Sequence, residues 1–128
     1  MPLYTVSSRA PIPDTTKRLM AKLIMDVHCG ITGAPQTFVN VIFSEAVPLK
    51  RGIAYDVLMG VRKGRTGQMN NELHNTLFKE IVKLLDTSPQ MVEMSMIEVP
   101  ASWIMEGLHI LPEPGEEDKC EWLKEGHG

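Results

Sequence analysis

The chain of 128 residues goes through one pattern twice, and this repetition limits the folds open to it. Residues 2–47 and residues 53–99 each contain a short strand-forming stretch, an amphipathic helix and a second strand. The two segments also end alike, with Glu45 in "SEAVP" and Glu98 in "IEVP". Because a right-handed crossover makes the two strands of a unit parallel, the repeat predicts tandem β-α-β units. We expect them to form one four-stranded sheet with two helices on one face, an α/β (α+β) fold.

Local signals set the expected ends of these elements. Asp14 is a candidate N-cap for the first helix, and Gly30 and Gly33 supply its stop. Thr66 is the candidate N-cap of the second helix, which Ser88–Pro89 ends. The strands are predicted at residues 2–8, 37–47, 52–62 and 91–100.

The whole chain, residues 1–128, is predicted to form a single domain, because its length suits one hydrophobic core. Residues 100–128 follow the second unit as a fold-back across the sheet end and a tail. The acidic run of this tail, from Glu113 onward, is expected to be solvated or to clasp another subunit rather than to form a binding site. Two helices cover only one face of the sheet, and the sequence supplies Val, Ile, Met and Phe to the other. Such a face usually finds its cover in another subunit, so we expect a homo-oligomer.

Charge and composition argue against several classes of function. The net charge is −3 and no stripe of Lys and Arg is present, which argues against nucleic acid as a partner. No apolar run approaches the ~20 residues of a membrane span. The N-terminus lacks the features of a signal peptide, so we expect a cytoplasmic protein without a membrane partner. Cys29 and Cys120 have neither metal-ligand nor disulfide spacing, which predicts free thiols, no metal site and no cofactor.

Pro2 stands directly after Met1, at the head of the first strand. One interpretation is structural, because an edge strand tolerates a residue without a backbone N–H. The other is chemical. If Met1 is removed, Pro2 becomes a secondary amine on a rigid ring, and an α-amino group titrates at about 8, which suits a general acid or base near neutral pH. The dipeptide alone leaves both interpretations open.

The stretch "VRKGRTG" places Arg62 and Arg65 three residues apart on a loop just before a helix N-terminus. Two guanidinium groups and unpaired backbone N–H groups then converge on one spot, which suits a carboxylate. A solvated turn with two surface cations is the alternative. If the third strand runs antiparallel to the first, this loop and Pro2 meet at one end of the sheet.

Two further side chains are candidates for proton transfer. His28 lies in the last turn of the first helix, where the helix dipole favours a protonated imidazole, so its role is either structural or catalytic. Glu106 lies beside Trp103 and Met105 in the fold-back segment. Apolar neighbours make a carboxylate a candidate acid or base, although an exposed glutamate is the commoner finding.

Five features occur in the order known from one group of proteins: the initial "MP", the tandem units, "DVHCGITG", "VRKGRTG" and "EVPASWIMEGLHILPEPGEE". By these features the chain resembles the tautomerase superfamily over essentially its whole length, and more closely its cis-3-chloroacrylic acid dehalogenase branch. The resemblance implies a homotrimer and a catalytic N-terminal Pro2. It also implies that His28 and Glu106 are catalytic, and that Arg62 and Arg65 bind the carboxylate of a small substrate.

The chain departs from that branch at two positions. Ser95 stands where the dehalogenase has an active-site tyrosine, which makes Ser95 a candidate substrate-binding residue. Gly107 stands where that branch commonly has another tyrosine. We therefore expect a tautomerase- or hydratase-type enzyme that acts on a small unsaturated or 2-keto acid. The alternatives are a cis-3-chloroacrylate dehalogenase, a 3-oxo acid decarboxylase, and a catalytically silent binding protein of the same fold.

Overall fold

Residues 2–120 of the chain are described in the structure, a computed structural model. The elements are strands β1 (Leu3–Ser8), β2 (Asn40–Ser44), β3 (Tyr55–Arg62) and β4 (Val92–Val99), helices α1 (Asp14–Thr32) and α2 (Gly67–Leu85), and a short hairpin of β5 (Met105–Glu106) and β6 (His109–Ile110). The four longer strands form one sheet in the order β2-β1-β3-β4. β1 is parallel to β2 and β3 is parallel to β4, whereas β1 is antiparallel to β3. The predicted tandem β-α-β units and their four-stranded sheet are confirmed.

Both helices pack on one face of the sheet, as predicted. Side chains alternate along a strand, so every second residue of β1 (Tyr4, Val6 and Ser8) faces the helices and is buried. The helices contribute apolar residues at helical spacing to the same core. The core cluster consists of Tyr4, Val6, Ile12, Met20, Ile24, Val57, Met59, Val61, Leu73, Leu77 and Ile81. Each buried Val, Leu, Ile or Met side chain contributes roughly 1.5–3 kcal/mol to stability.

The opposite face of the sheet is less apolar than predicted. The alternation turns most Val, Met and Phe side chains of the strands towards the helices and leaves Leu58 on the other face. Ile42 and Ile97, on the edge strands, are 48% and 51% exposed there. Asp56 lies opposite Glu93 on this face, and burial together with the charge of Glu93 raises the pKa of Asp56. This face therefore combines isolated apolar side chains with acidic ones.

Helix α1 begins and ends at other residues than predicted. Pro13 takes the N-cap position without a side-chain hydrogen bond, and Asp14 lies in the first turn, where a carboxylate suits the positive end of the helix dipole. The helix continues through Gly30 and ends at Gly33, whose φ is 75° and whose N–H donates to the carbonyl of Cys29. The predictions of Asp14 as the N-cap and of Gly30 as a stop are therefore wrong. Of Gly30 and Gly33, only Gly33 has the left-handed backbone that favours glycine.

Thr66 is the N-cap of α2, as predicted, and its hydroxyl accepts a hydrogen bond from the Met69 N–H at 3.1 Å. The helix ends at Asp86, before the predicted stop at Ser88–Pro89. Asp86 has a φ of 50°, a left-handed conformation that aspartate tolerates better than most residues. The Ser88–Pro89 step instead begins the turn that leads into β4.

The second strand is shorter than the predicted 37–47. Residues Gln36–Phe38 form a turn of 3-10 helix that buries Phe38, so the strand begins only at Asn40. Beyond its end, Ala46 has a φ of 56°, which is incompatible with an extended strand. Within residues 2–120, no helix combines the length and the apolar character needed to cross a membrane.

Candidate active site

The antiparallel pairing of β1 with β3 brings the first described residues of the chain next to the carboxyl end of β3. Leu3 pairs with Gly60, so by the same register Pro2 lies beside Val61, one residue before Arg62. Pro2 is buried, and its carbonyl accepts a hydrogen bond of 2.9 Å from the first N–H of β2. The condition under which Pro2 and the arginine loop meet is therefore fulfilled.

His28, on α1, lies at the same end of the sheet. We call this region, where Pro2 lies beside the carboxyl end of β3, the corner. Its Nδ1 lies 2.6 Å from the phenol oxygen of Tyr4, and the two rings meet edge to face with centroids 5.6 Å apart. Tyr4 and Pro2 are two residues apart in extended chain, so both face the helix side of the sheet. His28 is fully buried, and its Nε2 has no hydrogen-bond partner within residues 2–120. One imidazole nitrogen, Nδ1, is therefore hydrogen-bonded to Tyr4, and the other, Nε2, is buried without a partner within residues 2–120.

Burial, together with the positive charges of Arg65 and Arg62, lowers the pKa of His28 to about 3. The imidazole is therefore neutral near pH 7, and the expectation that the helix dipole favours its protonated form is wrong because burial outweighs the dipole. Burial also raises the pKa of Tyr4, which keeps the phenol protonated. The phenol is the more acidic of these two neutral groups, so we assign its O–H as the donor and Nδ1 as the acceptor. The ring proton of His28 then lies on Nε2.

Arg62 is fully buried, and it is bound by residues 112–117 of its own chain, which we call the C-terminal segment. Its Nη1 donates to the Pro112 carbonyl at 2.6 Å, and its Nη2 donates to Oε1 of Glu117 at 2.6 Å. The guanidinium carbon lies 5.2 Å from the centroid of the Phe38 ring, a cation–π contact. Glu117 belongs to the acidic run predicted to be solvated or to clasp another subunit. For Glu117 this prediction is wrong, because its carboxylate forms a shielded ion pair with Arg62.

Arg65 is partly buried and less engaged. Its Nη1 donates to the backbone carbonyl of Arg62 at 3.3 Å, and its Nε is buried without a partner within residues 2–120. Burial and the charge of Arg62 lower the pKa of Arg65, whereas the carboxylate of Glu117 acts in the opposite sense. The side chain lines a cleft of about 220 Å³ together with Thr32, Thr66, Pro114 and Gly115. This environment disfavours the interpretation of the loop as a solvated turn with two surface cations.

Glu106 lies on the hairpin attached to this corner. The residue is half-buried and pairs with His109 across the hairpin. Directly after the hairpin, Leu111 is buried against Phe38, the ring that Arg62 covers. The hairpin is thus tied to the Arg62 corner, and the catalytic role of Glu106 stays a prediction.

Ser95 lies away from the corner in the single chain. It is exposed on β4, opposite Leu58 in the register, on the sheet face that points away from the helices. A second subunit would be needed to bring a Ser95 to the site, so its role stays a prediction. Within one chain, His28 interacts with the charges of Arg65 and Arg62, and the strand register places Pro2 beside Val61, the residue before Arg62.

Sequence reasoning missed two residues of the corner, Tyr4 and Glu117. Tyr4 has a signal, since strand alternation places it on the same face as Pro2. Glu117 has none, because 55 residues separate it from Arg62.

Among the residues described, 2–120, no three His, Cys, Asp or Glu side chains group as a metal site. Cys29 and Cys120 are free thiols, as predicted.

Comparisons with known proteins find similarity in solved structures. No family model matches the chain, and no curated protein gives a significant match. The crystal structure of N1, described as a member of the cis-3-chloroacrylic acid dehalogenase family, has a TM-score of 0.86 at 29% identity and covers 97% of this chain and 96% of that chain. Native fused 4-OT has a TM-score of 0.75 at 18% identity, with coverage of 85% and 95%. A protein inactivated by 2-oxo-3-pentynoate has a TM-score of 0.74 at 20% identity, with coverage of 86% and 96%.

Proposed function

Because the chain has the fold of the tautomerase superfamily and lies near its cis-3-chloroacrylic acid dehalogenase branch, we propose that it is an enzyme that uses Pro2, freed by removal of Met1, to transfer protons on a small unsaturated or 2-keto carboxylate. One observation carries the proposal. Three nitrogen atoms at the corner beside Pro2 are buried without a partner within residues 2–120: Nε2 of His28, Nε of Arg62 and Nε of Arg65. An unpaired buried polar group costs about 1–3 kcal/mol, so such a cluster indicates a site that a polar ligand completes.

The arginine pair holds the carboxylate of the substrate. Arg65 supplies the N–H groups, because its side chain is only partly buried and lines the cleft. Arg62, whose own charge is paired with Glu117, fixes the loop behind Arg65 through its contacts with the C-terminal segment. A hydrogen bond to a charged group contributes roughly 1.5–3 kcal/mol, enough to orient a small acid.

Pro2 acts as a base. Burial and the charge of Arg65 both disfavour a positive charge at this place, so the free amine is neutral near pH 7. In the ketonisation of an enol acid, Pro2 takes the proton from oxygen and returns it to carbon, so no atom is gained or lost. The Nε2–H of His28 donates to the oxygen while that oxygen carries negative charge.

Addition of water, as in a hydratase or dehalogenase, is the second candidate. The attachment of the Glu106 hairpin to the Arg62 corner favours it, because a carboxylate there would activate water. The serine at position 95 and the glycine at 107 favour the first candidate, because two phenol groups found in the dehalogenase branch are missing.

Intact mass and covalent labelling test the proposal. The purified protein is treated with 2-oxo-3-pentynoate, the compound that inactivates one of the solved neighbours. We expect a mass that lacks Met1 and a single adduct on Pro2, located by peptide mapping. A variant with Cys29→Ser and Cys120→Ser is the control, because thiols also react with such compounds. Arg65→Ala should label more slowly, since it loses the carboxylate contact.

Turnover of an enol acid, followed by its ultraviolet absorbance, separates an enzyme from a silent binding protein. Labelling at Pro2 with ketonisation supports the proposal. Quantitative retention of Met1 in protein from the native host would end it. Labelling without turnover of enol or acetylenic acids would favour the binding protein.

We also propose that the enzyme is a homotrimer. Fused 4-OT structures that share the fold are trimers, and a homotrimer would bring Ser95 of one subunit towards a neighbouring site. We expect the enzyme to act in the cytoplasm on a small carboxylate, without nucleic acid, membrane or cofactor.

A further inference from the structure

The carboxylate of Glu117 forms an ion pair with Arg62 within the chain itself. Nη2 of Arg62 donates to Oε1 of Glu117 at 2.6 Å, and Nη1 donates to the Pro112 carbonyl at 2.6 Å. The side chains of Arg62 and Glu117 are 0% and 16% exposed, so the ion pair is shielded from water. One of the two positive charges of the arginine pair is thus compensated by the chain itself.

This ion pair is built into the wall of the site. The guanidinium carbon of Arg62 also lies 5.2 Å from the centroid of the Phe38 ring, a cation–π contact that adds to these hydrogen bonds. Gly64 allows the C-terminal segment to approach, because its φ is 124° and a Cβ there would come within 3.3 Å of Pro114. Displacing Glu117 would require the segment that carries it to move, although Leu111 is buried against Phe38 and the Pro112 carbonyl accepts from Arg62. We therefore expect a substrate to meet Glu117 in place.

Arg65, in contrast, forms no ion pair within residues 2–120. Its Nη1 donates only to the uncharged backbone carbonyl of Arg62, and its Nε has no partner within residues 2–120. His28 is neutral. The four side chains that are buried or partly buried here, Arg62, Glu117, Arg65 and His28, therefore carry a net charge of one positive unit, which matches one carboxylate.

We propose that Glu117 determines substrate specificity: by neutralising Arg62 it leaves one free guanidinium, so the site accepts monocarboxylates and discriminates against dicarboxylates. A second carboxylate would find Arg62 already paired with Glu117. The exposed carboxylate of Glu113 lies beside Gly64 at the edge of the same cleft and adds to the repulsion. The inference rests on the proposed function, because that function assigns the corner to the substrate.

Binding of two inert acids of equal length tests the inference, since butyrate has one carboxylate and succinate has two. Dissociation constants are measured by NMR titration of the full chain as wild type, Glu117→Gln and Glu116→Gln. We expect the wild type to prefer butyrate, and Glu117→Gln to shift the ratio of the two constants about tenfold towards succinate, equivalent to about 1.4 kcal/mol. Glu116→Gln removes the same charge from an exposed carboxylate 3.5 Å from Lys119, and it should leave the ratio within about twofold.

An unchanged ratio in folded Glu117→Gln would overturn the inference. An equal gain for both acids would also overturn it, because Glu117 would then be a displaceable plug, and so would a wild type that binds no butyrate. If Glu117→Gln does not fold, the double variant Arg62→Gln with Glu117→Gln removes the whole ion pair and leaves Arg65 as the free charge. This variant should keep the wild-type ratio, and a shift towards succinate would contradict the inference. Butyrate binding without enol turnover would count against the proposed function alone.

Discussion

The neutral, buried His28 ties the stability of the protein to pH. Its pKa is about 3 in the folded chain against 6.5 when exposed. As pH falls below 6.5, the unfolded chain therefore binds a proton that the folded chain does not bind. The free energy of unfolding should fall by about 1.4 kcal/mol per pH unit in this range, and by about 2 kcal/mol between pH 7.5 and 5.

Urea unfolding at the two pH values measures this loss. His28→Gln should flatten the dependence, because the titrating group is gone. His74→Gln, which removes a half-buried histidine from α2, should keep it. An equal slope in wild type and His28→Gln would assign the loss to other groups.

Tyr4→Phe tests whether the phenol positions the imidazole. The variant leaves Nδ1 of His28 buried without its donor, which should cost about 1–3 kcal/mol of stability. The turnover number should fall with little change in KM, because the carboxylate contact at Arg65 is untouched. Nitrogen-15 shifts of the imidazole should reveal a changed tautomer, which a loss of packing alone would not produce. Tyr55→Phe, at a half-buried tyrosine of the same sheet, is the matched control and should leave those shifts unchanged.

Among the elements, the start of α2 joins local structure to the site. Thr66→Ala removes the hydroxyl that accepts from the Met69 N–H, which should cost about 1 kcal/mol of stability. The KM for carboxylate substrates should rise as well, because Arg65 directly precedes this cap. Thr15→Ala, in the first turn of α1, is the control, since no side-chain cap is present there. If both variants have the same KM as the wild type, the cap does not position Arg65.

Signals that act over a few residues explain what could be predicted of these elements. The Thr66 cap and the arginine loop follow from the sequence, because capping depends on residues three positions apart. The strand predicted over 37–47 is wrong at its start because Phe38 turns towards Ala101 and Leu111, which lie far along the chain. Hydrophobicity and β-propensity at Phe38 are the same in either arrangement, so only the tertiary contact decides.

In the candidate site, too, local motifs predict some features, whereas others depend on tertiary contacts. Four short motifs and the tandem units led to the resemblance with the tautomerase superfamily, which the solved structures of the same fold confirm. The motifs also pointed to Pro2, His28, Glu106 and the arginine pair. The neutral state of His28 depends on its burial and on two arginines from another element, and no local pattern encodes either. The ion pair of Arg62 with Glu117 likewise arises only when the C-terminal segment folds back.

For the whole molecule, we expect a homotrimer that buries the sheet face opposite the helices. Light scattering at micromolar concentration should give three times the chain mass. Ile97→Glu should weaken the assembly, because it places a charge among the side chains of that face, where Ile97 is 51% exposed. Leu19→Glu, on the helix side and 55% exposed, is the control and should leave the mass unchanged. A stable wild-type monomer would contradict this interface.

The two β-α-β units are built alike, yet only one of them can begin with an amine. The place that Pro2 holds in the first unit is held in the second by Ala54, whose N–H donates to the Met91 carbonyl at 2.8 Å within a continuous chain. Near Ala54, the Arg9 side chain donates hydrogen bonds to the backbone carbonyls of Leu49, Lys50 and Ile53. If Pro2 is the reactive amine, each chain therefore carries one reactive centre for its two units. A reagent specific for the N-terminal amine should saturate at one equivalent per chain, although each chain contains two copies of the unit.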